Sequence, residues 1–267
     1  MFTELQAISD TNHSSLFIPK IEKYRHYRYR CRLVVLEFNK SYFDISLFGK
    51  YDLSCPPGIQ KSVIKRQAEF LAGRYAAKVA LNGKHGNSTI DIGLNRQPIW
   101  PDDVRGSISH SNDRALCLVT TGYPKALVGV DIEEIQTAAI TGSIAKHVLS
   151  VEESRQLSSV GFTEQESFTL IFSAKESLFK ALYPYVNIYF GFECVRLISI
   201  DTSKKTLLFR LVDYFSHKYN LPVAITVSFN WIGDSVITIA LQPNCIFEQS
   251  NQGALGLTGG QATQQAK

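Results

Sequence analysis

Four β-rich runs follow one another in the later part of this chain: "CVRLISI", "TLLFRLV", "VAITVSF" and "VITIAL". Short runs rich in Val, Ile and Leu, each bounded by turn or polar residues, read as strands. Ahead of them lie two longer stretches with helical periodicity, roughly Ile59 to Leu81 and about Glu164 to Tyr183. The first is itself preceded by short β-rich runs, "CRLVVLEFN" and "YFDISLF". Each half of the chain thus has strands plus one main helix, which predicts an α+β fold divided near the Gly122-Tyr123-Pro124 turn. The expected units are residues 1–124 and 125–245. The polar, Gly- and Gln-rich remainder, 246–267, is expected to be disordered.

Local signals sharpen the helix ends. Thr163 with Glu166 three residues on forms a capping box, and Pro184 marks an expected stop. Asn82-Gly83 is the stop signal of the earlier helix. Two shorter helical stretches are expected around Ile140 to Val148 and Val151 to Ser159. In "RGSISHS", Gly106 and Ser107 read as the start of a tight turn that leads into the strand "RALCLVTTG".

Composition excludes several classes. The five cysteines, Cys31, Cys55, Cys117, Cys194 and Cys245, are odd in number and include no C-x-x-C pair. That argues against a disulfide framework or a zinc site and for a reducing, cytoplasmic compartment. No run approaches the ~18 apolar residues of a membrane span. A net charge of +4 suits an anionic substrate or an acidic partner and is too small to argue for nucleic acid. A monomer is expected.

The chemistry gathers in four places. "ALVGVDIEE" is a strand that sets Asp131 and Glu133 two residues apart, hence on one face. Like charges side by side are unfavourable unless something positive lies between them. On the later helix, "FSAKESLFKAL" puts Lys175, Glu176 and Lys180 off the apolar stripe of Phe168, Ile171, Phe172, Phe179 and Leu182. Taken alone, Glu176 and Lys180 read as a solvated i,i+4 pair. Together with Asp131 and Glu133 they are the parts of a Mg²⁺ site holding a phosphate. "GSISHS" presents Ser109 and His110, without the third group or the G-x-S-x-G turn of a hydrolase. "KRQAEFLAGRYAAKVAL" puts Arg66 and Arg74 about two turns apart, so they can face the same way, as either a longer anion or an ordinary solvated helix face would have them.

In this order, "EFLAGRYAA", "RQPIWP", "GSISHS", "GVDIEE" and "FSAKESLFKAL" closely resemble the 4′-phosphopantetheinyl transferases, nearest to the longer type associated with enterobactin and surfactin synthesis. The resemblance covers roughly Arg66 to Leu182. It implies two similar α+β halves, related by a pseudo-twofold, with the active site between them. It also implies Mg²⁺, held by Asp131, Glu133 and Glu176 against the pyrophosphate of coenzyme A, with Glu153 as a further acid. Glu176 would accept the proton of the attacking serine. Lys180 would bind the phosphate under attack, helped by Lys175. Ser109 and His110 would contact the coenzyme phosphates, Arg74 the 3′-phosphate, with Arg66 nearby. Where some members have Lys before the proline of "RQPIWP", this chain has Gln97 beside Arg96, and the helix motif carries Phe172 in place of Trp. The implied partners are coenzyme A and acyl, peptidyl or aryl carrier proteins.

Two other classes use some of these parts. A metal-dependent nuclease favours Glu and Lys two apart on a strand, whereas here they are four apart on a helix. A non-catalytic module binding coenzyme A or a nucleotide would need the arginines and the Ser-His segment but not three acids.

Overall fold

A computed structural model of the chain describes residues 2–12, 15–26, 29–83, 90–137 and 145–243. The expected disordered tail from 246 onward lies outside the described residues, and so does the start of the short helix expected from Ile140. Residues 145–148 of that helix are helical.

The first half builds a five-stranded antiparallel sheet from β1 (Leu5–Asn12), β2 (Lys20–His26), β3 (Cys31–Glu37), β6 (Val104–Ser111) and β7 (Arg114–Thr121), in the order β1-β2-β3-β7-β6. A small hairpin, β4 (Asp91–Ile92) and β5 (Pro98–Ile99), stands apart from it. The second half builds another from β8 (Leu127–Glu134), β9 (Val195–Asp201), β10 (Thr206–Leu211), β11 (Ala224–Ile232) and β12 (Ser235–Gln242), in the order β8-β12-β11-β10-β9. In both halves a strand leads into a long helix, and the chain returns to pair antiparallel beside that strand, β7 on β3 and β12 on β8. This is the expected α+β fold of two similar halves.

Side-chain alternation explains why so many strands read as unbroken apolar runs. On β3 and β7, Val34, Leu36, Ala115 and Cys117 face a core under the first-half helix. Their neighbours Leu33, Val35, Leu116 and Leu118 face a second core shared with Val128, Val130, Ile132, Ile237 and Ile239 of the other sheet. The two sheets pack on each other and the long helices cover their outer faces, so the central strands are buried on both sides.

The helices depart from expectation in three places. The first-half helix does not begin at Ile59. A single turn, α1 (Leu47–Lys50), and another, α2 (Pro57–Gln60), precede α3 (Ile64–Leu81). The break at 61–63 is stabilised locally: Ser62 Oγ donates to the Ile59 carbonyl, and the Gln67 amide donates to the carbonyls of Gln60 and Ser62. Asn82 then closes α3 in the left-handed conformation, φ 52°, where the Asn-Gly signal stands. In the second half, α4 (Val151–Ser159) and α5 (Glu164–Val186) carry capping boxes, Ser150 with Glu153 and Thr163 with Glu166. α5 runs through Pro184, because a proline in the last turn removes only one N–H; Asn187, at φ 52°, closes the helix by donating to the Tyr183 carbonyl. A further helix, α6 (Asp213–Tyr219), interrupts the β-rich remainder, burying Phe215 and ending at left-handed Asn220. Finally, Gly106 and Ser107 lie inside β6, not in a turn. The glycine is needed there because the Trp100 ring lies flat on it, 2.7 Å from where a Cβ would stand.

Candidate active site

The site begins with a close approach. α5 crosses β8 at Gly129, where a Cβ would come within 1.8 Å of the Ser177 carbonyl oxygen. Only glycine allows that contact. Two residues further along the same strand face comes Asp131, only 3% exposed, and then Glu133. The helix lays Glu176 and Lys180, one turn apart, against them.

Lys180 is the hub. Its Nζ donates to Asp131 Oδ1 at 2.6 Å, to Ser109 Oγ at 3.0 Å and to the Val130 carbonyl at 3.3 Å. Ser109 Oγ in turn donates to Asp131 Oδ1 at 2.8 Å. The Val130 N–H donates to Ser107 Oγ at 3.1 Å. β6 and β8 are edge strands of separate ladders, so these two serines link the halves in place of backbone pairing.

The electrostatics of this corner are one-sided. Burial, followed by the Asp131 carboxylate, pushes Glu133 up to about 8, against the pull of Lys180. Glu176 is raised by burial, then lowered by Lys180 and raised again by Asp131. One ammonium therefore serves three carboxylates. Asp131 Oδ2 is buried and accepts no hydrogen bond among the described residues. Among the described residues, no group of three or more acidic, histidine or cysteine side chains stands close enough together to hold a metal ion. The Asp131 carboxylate nonetheless raises the pKa of both Glu133 and Glu176. Three hard-oxygen donors short of positive charge, one with an orphaned buried oxygen, fit a hard divalent cation.

A second cluster lies on α3. Arg66 Nη1 donates to His110 Nε2 at 2.9 Å, and Glu69 Oε2 lies 3.8 Å from His110 Nδ1 and 4.0 Å from Arg66. Burial lowers the His110 pKa, with Glu69 opposing and Arg66 and Lys180 reinforcing. Arg74 shares this side of the helix and the two arginines repel. It is buried under the Asp91 carbonyl, which accepts from its Nη2 at 3.3 Å, and stacks over Phe70 at 4.8 Å. Burial draws its pKa down to about 10.

Between the halves runs a cleft of about 1050 Å³. Its walls are the 94–100 segment, β6, the start of β8 and the last turns of α5. Lys180 lines it, together with Trp100, Phe179, Tyr183 and Tyr189. Arg96 and Gln97 both belong to this lining. The Gln97 amide is folded over Gly93 and accepts from the Asn95 N–H, while Arg96 is exposed. The Tyr185 hydroxyl fastens the wall by donating to the Ala126 carbonyl.

Two expected site residues are not brought here. Lys175 Nζ donates to Glu153 Oε2 at 2.9 Å and to the Val148 carbonyl at 2.8 Å, and both side chains are buried. Glu153 also accepts from the Leu197 and Ser150 N–H groups. The pair ties α4, α5 and β9 together on the far side of α5. In contrast, Asp131, Glu133, Glu176, Lys180 and Ser109 are assembled in one corner, with His110 and Arg66 next to it. The sequence reading gave Ser107 only a turn and did not single out Trp100 or Glu69. Of these only Glu69 carried a signal, its i+3 and i+4 spacing from Arg66 and Lys65.

Comparison with known proteins adds a family. Residues 57–120 match the model of the 4′-phosphopantetheinyl transferase N-terminal domain, and residues 127–240 that of the 4′-phosphopantetheinyl transferase superfamily. The chain is 34% identical over 202 residues to enterobactin synthase component D of Salmonella typhi, covering 74% of this chain and 82% of that protein. To the protein of the same name from Escherichia coli strain K12 it is 38% identical over 142 residues, 52% of this chain and 67% of the relative. To the 4′-phosphopantetheinyl transferase Npt of Nocardia iowensis it is 30% identical over 137 residues, 51% and 60% of the respective chains.

Proposed function

The chain belongs to the 4′-phosphopantetheinyl transferase superfamily, and on that premise we propose that it moves the 4′-phosphopantetheine arm of coenzyme A onto a serine of an apo carrier protein, releasing 3′,5′-ADP. Its relatives named for enterobactin synthesis point to carriers of siderophore, other nonribosomal peptide or polyketide assembly. The observation that carries the reading is the Lys180–Asp131–Ser109 contact, with Glu133 and Glu176 beside it and Lys180 reaching the wall of the cleft.

In this reading the carrier serine oxygen attacks the pantetheine-side phosphorus. The new O–P bond forms as the bond to the 5′-phosphate of 3′,5′-ADP breaks, and Glu176 takes the serine proton. Burial raises the basicity of Glu176, which suits it to that task. Lys180 donates to the phosphoryl oxygen, offsetting charge as it develops. Ser109, His110, Arg66, Arg74 and Arg96 bind the coenzyme phosphates and hold them still. Asp131, Glu133 and Glu176 would hold Mg²⁺, which when bound supplies positive charge to the pyrophosphate. Lys175 and Glu153 are left out of the site, since they serve each other on the far side of α5.

The same reading divides the chain into a coenzyme-binding half, 1–124, and a half carrying the acids and α5, 125–245. It takes the enzyme to be a cytoplasmic monomer. Cys31, Cys55, Cys117 and Cys194 are unpaired, in keeping with a reducing compartment. Among the described residues no helix is long and apolar enough to cross a membrane.

The test is direct. The protein is incubated with coenzyme A, Mg²⁺ and a panel of apo acyl, peptidyl and aryl carriers, and intact masses are read. One carrier gaining a single phosphopantetheine upholds the reading, and no gain across the panel sinks it. Glu176→Gln should still bind coenzyme A without turnover, which separates a catalyst from a binding module.

A further inference from the structure

The carboxylate of Glu69 has been given no task so far, yet it is buried in the middle of the anion-facing cluster. Only 8% of the residue is exposed, and three cationic or polar side chains surround it: Lys65 Nζ at 3.8 Å, Arg66 at 4.0 Å and His110 Nδ1 at 3.8 Å. A carboxylate beside a site for a polyanion weakens the attraction for that anion, so its placement calls for a reason.

The packing supplies one. Gly73 of α3 sits against β6, where a Cβ would come within 2.9 Å of Ile108. Glu69 and Arg66 lie one and two turns back from Gly73 on the same helix face. His110 lies two residues beyond Ile108 on the same strand face. The close approach at Gly73 therefore carries Glu69 and Arg66 directly over the imidazole. A guanidinium only donates, so His110 Nε2 accepts from Arg66 at 2.9 Å and the neutral ring keeps its proton on Nδ1, 3.8 Å from Glu69 Oε2, a distance over which the carboxylate acts by its charge and not as a hydrogen-bond acceptor. Burial holds the ring towards its neutral form. Lys180 of α5 and Asp131 of β8 face the same imidazole from the other side.

The geometry points to Glu69 as a positioning residue: its carboxylate holds His110 with the proton on Nδ1 and keeps Arg66 on Nε2, so that both side chains meet the coenzyme phosphates already oriented. This deepens, and rests on, the transferase reading above. It assigns Glu69 no contact with substrate. The repulsion it adds is offset by Lys65 and Arg66, whose cationic groups stand 3.8 Å and 4.0 Å from it.

The experiment reads the ring itself. Histidine side-chain ¹⁵N spectra are recorded on the full-length protein with no coenzyme added, and the His110 signals are identified by their loss in His110→Gln. The wild type should show the Nδ1–H tautomer. Glu69→Leu should move His110 towards the Nε2–H form, and Glu69→Asp, which keeps the negative charge, should retain more of the wild-type pattern than Glu69→Gln, which does not. In carrier assays Glu69→Leu should raise the KM for coenzyme A about tenfold with kcat within about twofold, the split expected when a ground-state contact is lost. A wild-type His110 spectrum in Glu69→Leu overturns the proposal. Should the leucine variant fail to fold, Glu69→Ser is read in the same way. The spectra need no turnover, so failure of the transferase assay would sink the functional reading while leaving this measurement standing.

Discussion

Gly129 and Ser177 touch through backbone alone: a single added methyl on the strand would stand 1.8 Å from the helix carbonyl. Because Asp131 follows two residues later and Glu176 precedes Ser177, the distance between the acids of β8 and the helix is set at this contact. Gly129→Ala must push α5 outward. The expected loss is at least about 1–3 kcal/mol, the usual result of overpacking against atoms that cannot yield. Urea denaturation checks it, and transfer activity should fall with it. An unchanged midpoint would show that the helix can move freely.

Asp131→Ala should abolish transfer while the protein stays folded. Lys180 lies 27% exposed at the cleft wall and can turn towards solvent when its partner goes. Excess chelator should likewise stop the wild-type reaction, since the three carboxylates otherwise have one ammonium among them. Near-normal rates in either case would remove the metal from the reading. Circular dichroism of the variant gives the control for folding.

Arg74→Ala should weaken coenzyme A by about 1.5–3 kcal/mol, the usual worth of a charged hydrogen bond. A non-reacting phosphate is held equally in the ground and transition states, so KM should rise and kcat stay close to wild type. Dephospho-coenzyme A is the control: wild type should prefer coenzyme A clearly and the variant should lose most of that preference. The melting temperature should also fall, because Arg74 packs over Phe70 and holds the Asp91 carbonyl. A variant that is less stable but still discriminates would make Arg74 a strut only.

Lys175→Met should be among the most destabilising single changes. Removing one member of a buried ion pair leaves the other charge uncompensated, at about 3–5 kcal/mol. Glu153→Gln combined with Lys175→Met should recover part of that loss, measured as a double-mutant cycle in denaturant. In whatever fraction stays folded, the KM for coenzyme A should be that of the wild type. A large rise in KM would return Lys175 to the phosphates.

Thiol labelling offers a test independent of the chemistry. Burial pushes the Cys31 thiol up to about 12 and raises Cys117 as well. Both should resist iodoacetamide in the folded protein near pH 8, whereas the partly exposed Cys55 and Cys194 should be alkylated first. Peptide mass spectrometry reads the order. Early modification of Cys31 would mean that the interface between the sheets opens.

Local signals carried much of this. The capping box at Thr163, the Asn82 stop and the run "ALVGVDIEE" each act through the next few residues, where backbone hydrogen bonding and side-chain alternation suffice. They were legible for that reason, and the spacing of Asp131 with Glu133, and of Glu176 with Lys180, followed from strand and helix periods. What a period cannot say is which face of an element meets which neighbour. Lys175 and Lys180 are five apart, roughly 140° around a helix, so one had to point away from the other. Only the docking of α5 on β8 through Gly129 decided that Lys180 meets Asp131 while Lys175 is buried with Glu153. Glu69 was likewise an ordinary helix acid until Gly73 brought α3 down on Ile108. The sequence determined which groups exist and at what local interval; which of them became neighbours was decided by close approaches at two glycines, Gly129 against the Ser177 backbone and Gly73 against the Ile108 side chain, contacts between residues far apart in the chain.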